Sequence, residues 1–207
     1  MFAKTTRNLI VAALAAGLLS APALAQGVPG SPAVAGVKAG SYTVEPYHTR
    51  VQFTVSHMGL SDWYGDFTGA SGSLVLDPAH IAATKVDVII PTASVSTTNA
   101  KLDDELRSPD WFDAAQHHNI RFTSTKVVRT GPRTALITGD LMFHGVTRPV
   151  VLKASFVGAG VNPLSKAYTV GFNATTSFKR SDFGVKTYIP MIGDEVTLRI
   201  SAAFEQH

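Results

Sequence analysis

From Ser41 onward the chain is a succession of short runs in which apolar and polar residues alternate. Val51, Phe53, Val55 and His57 share one face of the first clear run, and Gln52, Thr54 and Ser56 share the other, which is the period of a strand. Leu74 and Leu76 repeat the alternation after Gly72. Val86, Val88 and Ile90 oppose Lys85, Asp87 and Ile89, and Pro91 closes that run. Ile120, Phe122 and Ser124 form the next face, followed by Ala135, Ile137, Gly139, Leu141 and Phe143, and then by Val150, Leu152, Ala154 and Phe156. Tyr168, Val170, Phe172, Ala174, Thr176 and Phe178 make the longest alternation. The last strand sets Val196, Leu198, Ile200, Ala202 and Phe204 against Glu195, Thr197, Arg199 and Ser201. Several strands at short spacing with polar turns predict an all-β sandwich or barrel. Phe67 and Ala70 fall three apart, so a bulge or barrel corner is expected near Gly69.

One segment breaks the β pattern. Leu102 and Leu106 lie four apart between Asn99 and Arg107, and Pro109 follows. The spacing predicts a short helix, with Asn99 able to cap its start and Arg107 suited to the end of its dipole. Asp103, Asp104 and Glu105 read as a solvated helix start. Asp110-Trp111-Phe112 reads as a tight turn, and no internal repeat occurs.

The N-terminal residues are read separately. Lys4 and Arg7 precede an uncharged apolar stretch, Leu9 to Leu19, and Ala23-Leu24-Ala25 supplies a small-x-small pattern. This is the layout of a secretory signal peptide over residues 1–25, with cleavage expected after Ala25 and the periplasm as destination. The stretch is short of the ~18 residues that a permanent spanning helix needs. Residues 26–40 are rich in Gly, Pro, Ala and Val, with Lys38 their only charge, and are expected to be a flexible leader. The domain is then expected over 41–207. Removing 25 of the 207 residues leaves 182, enough for one domain with a sizeable core. The absence of cysteine means that export brings no disulfides. The formal charge of +3 falls to about +1 once Lys4 and Arg7 are removed, which gives no electrostatic case for nucleic acid.

Four blocks carry a resemblance to a known family. The first is His48-Thr49-Arg50-Val51-Gln52-Phe53-Thr54-Val55-Ser56-His57-Met58-Gly59, continuing to Gly65-Asp66-Phe67. The second is Leu106-Arg107-Ser108-Pro109-Asp110-Trp111-Phe112-Asp113, followed by Ile120-Arg121-Phe122. The third is Gly139-Asp140-Leu141-Met142-Phe143-His144-Gly145-Val146-Thr147. The last is Lys179-Arg180-Ser181-Asp182-Phe183-Gly184 with Gly193-Asp194-Glu195-Val196. In this order they resemble the YceI family, the lipocalin-like polyisoprenoid-binding proteins. Glu45 stands where relatives often have Asp, and His117-His118-Asn119 stands where they tend to carry an aromatic-Pro pair. No site is assigned to His117 or His118.

The resemblance implies an extended antiparallel barrel of about eight strands with a short helix between strands, holding one long isoprenoid chain without covalent attachment. An eight-stranded interior either fills with side chains or holds a ligand. A dry core and a lipid tunnel need the same residues, so pattern alone leaves the two open. The residues expected to line a lumen are Phe53, Val55, His57, Phe67, Val88, Ile90, Phe122, Leu141, Phe143, Phe172 and Phe178. A carrier would make transient membrane contact to exchange its lipid. The lipid's identity and head group, and the choice between transport, storage and protection, stay open.

Other chemistry finds little support. His48 and His57 lie nine apart, roughly 30 Å of strand, and cannot share a metal. No His-Glu-x-x-His, Gly-x-Ser-x-Gly or phosphate-cradling Gly-rich loop occurs, so neither a metal site nor catalysis is expected. His48, His57 and His144 are read as structural, with His57 meeting a ligand head group if it faces inward. Arg180 and Asp182 are expected to form a closing ion pair or turn, or else a rim contact to a polar head. An outer-membrane barrel is the second reading, but its lipid-facing rows would carry Lys85, Asp87, Arg121, Thr197 and Arg199. A periplasmic enzyme or stress-response protein acting on a lipid-like molecule is the third.

Overall fold

The alternating runs resolve into nine antiparallel strands of one sheet. The computed structural model describes residues 27–206, so the expected signal peptide and its cleavage site lie outside the described residues. In chain order the elements are β1 (Gly40–His57), β2 (Ser61–Phe67), β3 (Ser71–Leu76), β4 (Lys85–Pro91), α1 (Ala100–Arg107), β5 (Asn119–Gly131), β6 (Thr134–Phe143), β7 (Val146–Val161), β8 (Tyr168–Lys179) and β9 (Ile192–Gln206). Strands β3 to β9 pair in sequence, and β9 closes onto β1. Eight strands, β1 and β3–β9, therefore form a closed barrel, which removes the exposed edges of an open sheet.

The remaining strand explains the shape of one end. The edge of β1 facing away from β9 pairs with β3 over Gly40–Thr43 and with β2 over Val51–His57. Strands β2 and β3 thus occupy successive stretches of the same edge, and the chain turns the corner between them at Gly69, which has φ +68°. We call the end carrying β2 and α1 the upper end, and the end carrying the β5–β6 turn the lower end. At the upper end β6 and β7 are joined by His144-Gly145, whose φ values of 50° and 72° suit a two-residue hairpin turn that follows the twist of the strands.

Alternation sorts the walls. Val51, Phe53, Leu141, Phe143, Val150, Ala154, Phe156, Ala174 and Phe204 are buried on the inner face. Lys85, Arg121 and Arg199 are exposed, and Arg121 pairs with Asp87, with Nε 2.9 Å from Oδ1. A lipid bilayer would reject such an outer wall, which counts against the membrane-embedded reading.

Helix α1 forms as the sequence predicts, with one correction. The Asn99 side chain accepts a hydrogen bond from the Leu102 N–H, and the Arg107 guanidinium donates to the carbonyls of Ala93 and Val95. Asp103, however, is not part of a solvated helix start. It is buried beside Leu106 and accepts hydrogen bonds from the Thr97 N–H at 2.6 Å and the Thr97 hydroxyl at 2.7 Å. Asp104 and Glu105 are exposed, as one face of a short helix must be when the opposite face is covered.

The leader is also different from the expectation. Ser31 forms an isolated β-bridge with Ala159 of β7, so at least part of residues 27–39 is tied to the barrel rather than free of it.

Candidate functional site

Inside the barrel lies a continuous cavity of about 840 Å³. Specific pockets for small ligands run from about 300 to 1,000 Å³, so this one is large for its class. It reaches from Asn99, Lys101, Leu102 and Leu106 of the α1 region down to Pro78, Ile81 and Arg133 at the lower end. All eleven residues expected from the sequence to face a lumen line it: Phe53, Val55, His57, Phe67, Val88, Ile90, Phe122, Leu141, Phe143, Phe172 and Phe178. They come from six different strands and from both ends of the barrel.

Aromatic rings gather toward the two ends. In the upper half Phe112 stands 5.8 Å from Phe67, 5.4 Å from Phe143 and 6.5 Å from Phe53, and Phe143 continues to Phe183 at 5.8 Å. Below, Phe172 lies 5.7 Å from Phe156 and 6.3 Å from Phe204. Between these groups the wall is made by smaller side chains, among them Ala154 and Ala174, which are cross-strand partners. Ring pairs at these separations contribute about 0.5–1.5 kcal/mol each beyond the area they bury.

The upper end is covered by the connection from β4 to β5. Its Trp111 and Phe112 are both buried and both line the cavity. The sequence reading placed them in a tight turn and assigned them no part in the lumen. The turn exists, but it carries two large apolar residues over the mouth. Their adjacency to an amphipathic helix was the available signal.

Arg180 opens the hydrogen-bonded turn expected of it, with the Val185 N–H donating to its carbonyl at 3.2 Å, but forms no ion pair with Asp182. It is buried at 3% exposure, lines the cavity, and lies with its guanidinium carbon 5.3 Å from the centre of the Trp111 ring. Its nitrogens donate to the carbonyls of Gly193, Val185, Thr187 and Ile192 at 2.8–3.2 Å. Its acidic neighbour is Asp194, not Asp182. Burial pushes the Arg180 pKa down and the Asp194 charge opposes that shift. Burial likewise pushes the Asp194 carboxyl up. Hydrogen bonds from the Ser181 N–H and hydroxyl, with the charges of Lys179 and Arg180, outweigh it and hold the carboxyl below the ordinary range. Asp182 is exposed. A guanidinium with four carbonyls and a ring around it serves as a bracket between β9 and the loop before it.

The histidines are dispersed. His48 is bound to Glu45 outside the cavity at 2.8 Å. His57 is half-buried and does face the cavity, at the upper end beside Met58. The His144 Nδ1–H donates to the Phe183 carbonyl at 3.1 Å, and the His144 ring lies 4.7 Å from that of His117. Among the described residues no three His, Asp or Glu side chains converge as a metal-holding set.

Four large apolar residues line the cavity and are nonetheless exposed, which marks the upper mouth: Met58, Trp63, Tyr188 and Met191. The Met58 N–H donates to the Met191 carbonyl, joining the β1–β2 turn to the segment before β9. Leu60 and Tyr64 stand exposed beside them.

Comparison with known proteins agrees with this architecture. The YceI-like domain model matches residues 42–204. A UPF0312 protein of Pseudomonas savastanoi pv. phaseolicola is 39% identical over 169 residues, covering 81% of this chain and 86% of that one. The crystal structure of the YCEI protein of Campylobacter jejuni superposes with a TM-score of 0.64 at 29% identity, covering 73% and 90% of the two chains. A polyisoprenoid binding domain from Saccharophagus degradans has the same fold, with a TM-score of 0.58 at 14% identity over 82% of this chain and all of that one. The chain belongs to the YceI-like family.

Proposed function

We propose that this protein is an exported, periplasmic carrier that holds one long apolar lipid, of the isoprenoid class, along the axis of its barrel. The observation that carries the proposal is the unbroken apolar cavity between α1 and the lower end. Each CH₂-sized group moved from water into such a wall contributes about 0.8 kcal/mol, so a dozen contribute roughly 10 kcal/mol before the costs of ordering. Tight binding then needs no polar contact, and selectivity falls on chain length and shape. The name of the Saccharophagus degradans domain supports an isoprenoid over other lipids.

In this reading the eleven inward residues hold the chain, and His57 meets the polar head at the mouth. The site is built for binding: a polar reacting group would find few partners on these walls. The test is to purify the protein from its native compartment, sequence its N-terminus and extract it with organic solvent for mass spectrometry. Gln26 is expected as the first residue, with one isoprenoid recovered per protein. Recovery of no lipid under conditions that preserve the fold would end the carrier reading, and a chain still beginning at Met1 would end the export reading.

The mouth supports a transient membrane contact during exchange. Tryptophan and tyrosine favour the interface of a bilayer, and Met58, Leu60, Trp63, Tyr64, Tyr188 and Met191 present such a surface around the opening. Leu60 and Tyr64 lie outside the cavity wall, so Leu60→Asp with Tyr64→Ser is expected to leave lipid capacity intact and to slow uptake from vesicles about tenfold, equivalent to about 1.4 kcal/mol of lost docking. Unchanged uptake rates would show that the lipid arrives by another route.

A further inference from the structure

The segment just before β1 lies outside the stretch that matches the family, yet it contributes two side chains to the cavity wall. Ser31 and Ala159 exchange two backbone hydrogen bonds, each of 2.9 Å. Strand β7 is shaped for this crossing. A side chain at Gly160 would collide with the Pro29 carbonyl oxygen, and one at Gly158 would come within 3.2 Å of the Ser31 carbonyl. The chain then turns, with the Val37 N–H donating to the Val34 carbonyl at 3.2 Å. It is fastened on the far side of the turn as well. The Tyr42 hydroxyl donates to the Lys38 carbonyl at 2.6 Å, the Lys38 ammonium sits 4.5 Å from the centre of the Tyr168 ring, and Gln206 donates to the Ala39 carbonyl.

Between these fastenings only two side chains of residues 27–39 are not exposed, Val34 and Val37, and both line the cavity. We infer that this turn is a stopper, and that Val34 and Val37 set the length of the lipid chain the barrel accepts. The inference rests on the carrier reading and adds to it a determinant of chain length. An aliphatic chain threaded from the upper mouth runs down the axis until it meets these two side chains. Trimming both to alanine removes four methyl groups from the end of the cavity, space for about one more isoprene unit. Each further CH₂-sized group buried there multiplies affinity about fourfold.

The experiment offers the lipid-free full chain an equimolar ladder of free polyprenols of increasing length and reads the bound species by native mass spectrometry. Val34→Ala with Val37→Ala is expected to move the favoured length up by about one isoprene unit, and Val37→Trp to move it down. Gly160→Val lies outside the cavity wall and displaces the segment through its backbone, so it is expected to reproduce the upward shift. If the parent and all three variants bind the same distribution of lengths, the stopper is wrong and the carrier reading stands. If the parent takes up no polyprenol at all, the carrier reading itself fails, and the stopper with it.

Discussion

Ala174→Phe is expected to abolish lipid loading while the lipid-free protein stays within about 1 kcal/mol of its parent. Ala174 faces the cavity from β8, opposite Ala154 on one neighbouring strand and Ile200 on the other. A phenyl ring there projects into the stretch of lumen between the two aromatic groups, where the walls are made of small side chains. In a tightly packed core an added ring forces neighbours off their rotamers and is destabilising by about 1–3 kcal/mol. In a cavity of about 840 Å³ the ring has space, and what it displaces is the ligand. Val55→Trp, nearer the mouth, is expected to behave in the same way. The readouts are bound lipid by mass spectrometry and the melting temperature of delipidated protein. Severe destabilisation by both changes, in a parent from which no lipid is extracted, would mean a solid interior.

Arg180→Met is expected to have the largest effect on stability of any single change in the upper end, about 3–5 kcal/mol. The substitution leaves the carbonyls of Gly193, Val185, Thr187 and Ile192 without the donors that now satisfy them. It also removes the cation from the Trp111 ring. For a domain of this size a loss of that order lowers the melting temperature by roughly 10 °C. Arg180→Lys restores the charge but not the fork of donors, and is expected to recover less than half of the loss. Urea denaturation of the lipid-free protein separates the cases. A drop below about 1 kcal/mol for Arg180→Met would show that water replaces the bracket, as it does at exposed sites.

How much of this was legible beforehand follows the physics of each element. A strand with one face toward a lumen must alternate, so the inner rows of β1, β4, β5, β6, β7, β8 and β9 could be read directly, down to Phe122 and Phe143. Helix α1 declared itself through Asn99 and the Leu102–Leu106 spacing. Val34 and Val37 could not be found that way, because a turn in a Gly-, Pro- and Ala-rich stretch has no period. Trp111 and Phe112 also sit in a turn without a period, and only their place directly after α1 hinted at a part in the lumen. Asp103 differs from Asp104 only in which side of one helical turn it occupies, a matter settled by where Thr97 falls. Asp194 rather than Asp182 stands near Arg180 because a long-range fold contact prevails over sequence proximity. Counting alternations also could not show that β2 and β3 share one edge of β1.

The connection that covers the upper end has a dynamic consequence. The ladder that closes the barrel runs from β3 through β9 and back to β1, and the connection from Thr92 to His118 contributes no strand to it. This connection is fastened by its own set of bonds, including Asp66 to Ser96, Thr92 to His118, and Arg107 to Ala93 and Val95. Breaking those bonds, and parting Trp111 from Arg180 and Phe112 from Phe143, leaves every rung of the ladder in place, so the connection is expected to open as a local event. Its opening is expected to cost less than unfolding the wall around it. On the carrier reading, the barrel then keeps a chain dry behind a wall that stays folded and is expected to release it on the timescale of a loop.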